Sequence, residues 1–220
     1  MLIAIGPRAT GVSRVPRRAA RSAIALGGLA LTLAVAAFSL RRTSILPHTP
    51  APVYGRLPTF RLIDEHGGPY TTETMMGRVS VVDFIFTRCP SSCPRLTSRM
   101  GELQARFARD KSSVRLVSFS VDPENDTPAV LADYAAKAGA DLSRWTFVTG
   151  TADDIARTVV LGFKVSAAKI ARGAEDYEVT HGNWFVLVDR QGALRGYFPM
   201  DTADDFESLV SAATGLERER

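Results

Sequence analysis

The stretch "VSVVDFIFTRCPSSCPRLTSRM", residues 79–100, carries the three signals that decide the fold. Residues 79–86 form a β-branched and aromatic run of the kind found in a strand buried on both faces. After Pro94, Leu96, Met100, Leu103 and Phe107 recur at spacings of four, three and four, the apolar stripe of a helix that ends near Asp110. Between strand and helix lies a loop with both cysteines of the 220-residue chain, Cys89 and Cys93, each followed by a proline.

A proline disfavours the α region for the residue before it, so the spacing predicts Cys93 at the helix N-cap and Pro94 at the first helical position. Both sulfurs then lie at one helix start, where unpaired amides and the macrodipole favour anions. With Arg88 and Arg95 close by, both thiols are expected to be more acidic than the ~8.5 of free cysteine. Thiolate attacks disulfides and also binds metals. Three readings therefore stand: a structural disulfide, a redox dithiol and a metal site. Closing so short a loop gains little chain entropy, which weakens the first without removing it.

Further along the chain, strands alternate with helices. "FRLI" (60–63) precedes the turn "DEHGG", and "VRLVSFSV" (114–121) is the strand after the cysteine helix. Thr127 and Pro128 then open a helix as N-cap and first residue, with Val130, Leu131, Tyr134, Ala135 and Ala138 as its stripe and Gly139 closing it. "WTFVTG" is a short strand, followed by a helix from Thr151 with Ile155, Val159 and Val160 inward. "FVLVD" (185–189) and "ALRGYF" (193–198) flank the turn "RQG" as a hairpin, and a last helix runs from about Thr202 to Ala213. This order predicts an α/β, thioredoxin-like three-layer fold with a mixed central sheet, spanning residues 59–215 and leaving 216–220 as a tail. In such sheets ligands collect beyond the carboxyl ends of the strands, where "TRCPSSCP" lies.

Toward the N-terminus, Ser22–Leu40 ("SAIALGGLALTLAVAAFSL") is a run of 19 residues without a charge, close to the ~20 a membrane-spanning helix needs. Arg8, Arg14, Arg17, Arg18 and Arg21 precede it, and Arg41 and Arg42 close it. The pattern predicts one N-terminal transmembrane helix in the cytoplasmic (inner) membrane. Residues 1–21 would be cytoplasmic and the C-terminal domain would face the periplasm. "AVA" at 34–36 also has the form a signal peptidase accepts. Residues 41–58, with four prolines in Thr43–Pro58, read as a semi-rigid tether. The formal net charge of +4 is unevenly placed: beyond residue 42 the chain holds 20 basic against 23 acidic residues. That mildly acidic balance, with no Lys/Arg cluster, argues against a nucleic-acid partner.

The chain has three histidines: His48 in the tether, His66 in the turn "DEHGG", and His181 just before a core strand. His181 follows a polar connection, residues 164–180, expected to be a mobile loop able to fold across the sheet edge toward the cysteines. Two thiolates and one imidazole form a soft, three-coordinate set that suits Cu(I), whereas structural zinc would want a fourth protein ligand.

"FIFTRCPSSCPRLTSRM" (84–100), "VSFSVDPENDTPAVLADYA" (117–135) and "YEVTHGNWFVLVDRQGALRGYF" (177–198) together resemble the Sco/SenC family of copper-binding, thioredoxin-like assembly proteins. The resemblance runs from about Gly55 to Phe198 and implies that Cys89, Cys93 and His181 are copper ligands, for Cu(I) and also Cu(II). It implies a metallochaperone rather than an enzyme. The cargo would go to the binuclear copper centre of the cytochrome c oxidase copper subunit, or that centre's cysteines would be reduced before loading. Other copper chaperones or thiol reductants would serve as donors, and a single N-terminal anchor fits the family habit. Asp122 matches the family's Ser-Val-Asp-Pro position, as a support behind the ligands or simply as a turn-starting Asp-Pro. The family places an acidic residue before its histidine where this chain has Thr180. The rival reading is a thiol-disulfide oxidoreductase acting on exported or membrane cysteines. Against it stand the three residues between Cys89 and Cys93, and the absence of proline between Pro128 and Pro199.

Overall fold

A computed structural model of the chain describes residues 52–89, 92–165, 167–171, 177–181 and 184–219, with backbone alone for Ser92, 167–171 and 177–181. The expected membrane segment, Ser22–Leu40, lies outside them. Among the described residues no helix is long and apolar enough to cross a membrane.

Strand β4 (Ser80–Ile85) is buried at every position, and it lies at the centre of the sheet because its faces are apolar save for Ser80 and Asp83. It pairs in parallel with β5 (Arg115–Ser120), and β5 pairs in parallel with β6 (Trp145–Thr149). On the other side β4 meets β9 (Trp184–Val188) antiparallel, and β9 is joined antiparallel to β10 (Ala193–Pro199). Three short strands, β1 (Gly55–Arg56), β2 (Arg61–Asp64) and β3 (Pro69–Thr71), complete an eight-stranded mixed sheet in the order β1-β10-β9-β4-β5-β6-β2-β3. Strand β3 leads into a single helical turn, α1 (Thr72–Met75), capped by Thr71.

Alternate residues of the central strands feed two cores. Val81, Ile85, Leu116, Trp145, Phe147, Phe185 and Leu187 face helices α2 (Ser92–Arg109), α3 (Pro128–Ala138) and α5 (Ala203–Arg218). Val82, Phe84, Val117, Phe119, Val148, Val186 and Val188 face the opposite side, covered by α4 (Ala152–Ala156) and the π-helical turn π1 (Arg157–Gly162). Helices on both faces of a mixed sheet match the architecture expected from the sequence.

The cysteine helix and its neighbour follow their sequence signals closely. Leu96, Met100, Leu103 and Phe107 of α2 are all buried. Thr127 caps α3 by accepting from the Val130 amide, Pro128 opens it, and Gly139 ends it in the left-handed region at φ 66°. A non-glycine residue is disfavoured there because its Cβ crowds the following carbonyl.

Four expectations need correction. Helix α2 begins at Ser92 rather than Pro94. Pro94 is tolerated in its first turn because the first amides of a helix have no intrahelical acceptor, so its missing N–H forfeits no bond. Val130 and Val160 are exposed. On α3 only Leu131 and Ala135 point fully inward, and beyond Ile155 the buried line runs through Thr158, Val159, Gly162 and Phe163, which leaves Val160 off it. The last helix runs to Arg218, with Leu216 buried. The polar connection after Lys164 carries a second, two-stranded sheet, β7 (Ala167–Ala171) against β8 (Tyr177–His181), which shares no ladder with the main sheet.

Candidate metal centre

The dithiol loop starts where β4 ends. Thr87 and Arg88 follow Phe86 out of the sheet, and the Cys89 amide bonds back to the Phe86 carbonyl at 3.2 Å, closing a tight turn. Cys93 lies in the first turn of α2, and its amide N–H donates to the Cys89 sulfur at 3.4 Å. That amide is one of those a helix start leaves without an intrahelical acceptor, so the sulfur fills a vacant bond. Both cysteines are thiols here. Their surroundings differ: Cys89 is half-buried, while Cys93 is only 1% exposed and belongs to the core beneath α2.

Cys93 overturns one expectation. Its thiol is pushed up from the ordinary range, chiefly by burial and further by the nearby Cys89 and Asp83, although the Phe86 backbone works the other way. The helix dipole and the nearby arginines favour a thiolate only while it is solvated, and desolvation of the charged form outweighs them at this depth.

Two carboxylates of the segment between β5 and α3 hold the loop. Asp126 is fully buried and accepts from the Thr87 hydroxyl at 2.6 Å, the Thr87 amide at 3.1 Å and the Ser120 hydroxyl at 2.5 Å. Asp122, 2% exposed, accepts from the Asn125 side chain at 2.9 Å and lies 3.5 Å from the Arg88 guanidinium. The sequence singled out Asp122 but not Asp126 or Thr87. The signal for them was the pair of aspartates four apart between a strand and an N-cap, a spacing that does not say which one turns inward.

Asp83 was also missed. It sits mid-strand in β4, opposite Ser118 of β5, on the core face that also holds Cys93. Both its carboxylate oxygens are buried without a hydrogen-bond partner, and burial pushes its pKa up to about 7. The Ser118 hydroxyl, which takes the Trp145 indole N–H at 2.9 Å, lies close enough to temper that rise without reaching hydrogen-bonding geometry. A charged residue inside a run read as buried on both faces was itself the sign.

His181 is the last residue of β8, its backbone paired with Ala167 of β7. The structure thus brings Cys89 and Cys93 together and sets His181 on a separate ribbon leading into β9. Among the described residues, Cys, His, Asp and Glu side chains form no group of three or more arranged for a metal ion.

A mixed α/β sheet with a thiol pair at the start of the helix after its central strand defines a thioredoxin-like dithiol domain. Comparison with known proteins narrows the class. The SCO1/SenC family model matches residues 53–213, and the chain belongs to that family. It is 33% identical over 162 residues to the SCO1 protein homolog of Bacillus subtilis, an alignment covering 72% of this chain and 82% of the relative. Among solved structures it resembles copper-bound ScoI of Bradyrhizobium japonicum (27% identity, TM-score 0.63), covering 75% of this chain and 99% of the other. It also resembles BsSco, a member of the Sco family of cytochrome c oxidase assembly proteins with a disulfide switch (28% identity, TM-score 0.65), covering 76% and 97% respectively.

Proposed function

We propose that this protein carries copper, binding one ion through the thiolates of Cys89 and Cys93 and the imidazole of His181. The recipient is the binuclear copper centre of cytochrome c oxidase, which receives the ion or has its cysteines reduced before loading. The observation that carries this reading is the pair of sulfurs gathered at one helix start, with the Cys93 amide 3.4 Å from Cys89. Two soft sulfur donors and one imidazole suit Cu(I), and the same set can also take Cu(II). Copper in ScoI and the assembly role of the Sco family support the choice of cargo and recipient. A set with only three protein donors leaves room for an incoming ligand, which is what release to a partner requires. Ser22–Leu40 anchors the chain in the inner membrane, and the domain works on the periplasmic side.

Binding is coupled to redox state, because an oxidised Cys89–Cys93 pair has no thiolate to offer. Asp122 supports the site from behind, steadying Arg88 beside the first ligand.

A second reading, a thiol-disulfide reductant, is favoured by the unequal exposure of the two cysteines. The accessible Cys89 thiolate would attack a partner disulfide, forming a mixed disulfide and releasing one partner thiolate. Cys93, giving up its proton, would then displace the second partner sulfur. The partner gains two electrons, and the Cys89–Cys93 pair ends as a disulfide.

The test is Cu(I) competition against a chromophoric chelator with the full-length reduced chain and its Cys89→Ser, Cys93→Ser and His181→Ala variants. One tightly bound ion, with affinity lost in each variant, supports the carrier. Weak binding, or indifference to His181, moves the reductant ahead.

A further inference from the structure

Asp126 joins three parts of the fold at one carboxylate. Ser120 ends β5, Thr87 opens the dithiol loop, and Asp126 itself immediately precedes the Thr127 cap of α3. Its backbone amide bonds to the Asp122 carbonyl at 2.9 Å, fixing the turn from which the carboxylate projects. The carboxylate has no exposed surface, and the Thr87 amide and hydroxyl both end on it. A buried carboxylate stays in place only when its lone pairs are filled, and here the dithiol loop supplies much of the filling. Thr87 is two residues from Cys89, and the Cys89 amide is tied to Phe86 on the other side of Thr87. A shift of Thr87 therefore carries Cys89 away from Cys93.

Resting on the copper-carrier reading, we propose that Asp126 is the positioning residue of the dithiol: it touches neither sulfur, but by gripping Thr87 it holds Cys89 against the start of α2. The grip pre-organises two of the donors, so the ion does not have to order the loop. Arg88, between Thr87 and Cys89, is steadied separately by Asp122.

The test compares Asp126→Asn and Thr87→Val with Tyr134→Phe in the full-length chain. Tyr134→Phe breaks the 2.6 Å bond between Thr97 and Tyr134 that links α2 to α3, and so reports loss of stability without release of Thr87. Two readouts are taken: Cu(I) affinity by chelator competition, and the dithiol–disulfide equilibrium against the glutathione couple. In that exchange two protein thiols and one glutathione disulfide give the protein disulfide and two glutathione thiols. Asp126→Asn and Thr87→Val are expected to weaken Cu(I) binding about 10- to 100-fold, while Tyr134→Phe stays within about threefold. Because freeing the loop lowers the effective concentration of one thiol at the other, the same two variants should shift the equilibrium roughly tenfold toward dithiol. Should Asp126→Asn fail to fold, Thr87→Val carries the comparison alone. Wild-type affinity and equilibrium in a folded Asp126→Asn or Thr87→Val variant overturn the proposal, as does an equal loss in Tyr134→Phe. If the wild type binds no Cu(I), the copper reading fails, and the glutathione equilibrium still decides the role of Asp126.

Discussion

The backbone N–H of Cys93 points at the sulfur of Cys89 across 3.4 Å, yet the two side chains live in different media. Cys89 meets solvent, and Cys93 is packed with Leu96 and Met100 in the core.

The first prediction concerns reactivity. In the native, reduced, metal-free chain, iodoacetamide should label Cys89 at least roughly tenfold faster than Cys93, since access and thiolate content govern the rate. Mass spectrometry of peptides after timed quenching gives the ratio, and equal labelling would contradict the burial described for Cys93.

The second concerns stability. Cys93→Ser buries a hydroxyl in an apolar setting and should lower the unfolding free energy by about 1–3 kcal/mol. Cys89→Ser should stay within about 0.5 kcal/mol of wild type. Urea unfolding of the reduced chains checks both values. A Cys93→Ser loss of this size also means its copper affinity must be measured where the variant is fully folded.

The third concerns pH. Asp83 ionises near 7 when folded and near ~3.9 in the unfolded chain, so between those values the folded state binds more protons. Its contribution to stability is therefore full at low pH and is lost as pH rises from about 4 through 7, a fall on the order of 4 kcal/mol. Asp83→Asn should be more stable than wild type at pH 8, and that advantage should disappear near pH 4.5. An advantage of the same size at both pH values would rule out ionisation as its cause.

The fourth concerns the β7–β8 ribbon. If His181 joins the cysteines on loading, Cu(I) should slow amide exchange through residues 167–181 in the wild type and not in His181→Ala. Exchange unchanged by copper in the wild type would separate the ribbon from the site.

The parts of the fold legible in the sequence were those with punctuation. Thr127, Pro128 and Gly139 mark both ends of α3 by chemistry that acts within a few residues, and the α2 stripe repeats often enough to fix its face. The ribbon lacked such marks: "AAKIA" and "YEVTH" are short, polar in part and without a tight turn dipeptide between them. The thiols themselves are plain in the sequence, but their environment is not. Whether Cys93 is solvated depends on how deeply α2 packs on β4, and that is a tertiary fact. Asp126 and Thr87 lie 39 residues apart, a separation across which local pattern carries no information.

Because the β7–β8 ribbon shares no ladder with the eight-stranded sheet, its length and composition can drift without breaking a strand pairing of the core. Cys93 has no such latitude, being a core residue as well as a thiol. Diversification within this architecture should therefore fall on the ribbon, and if His181 is a ligand as proposed, grafting ribbons between homologous domains would alter the metal site while leaving the strand pairings of the core intact.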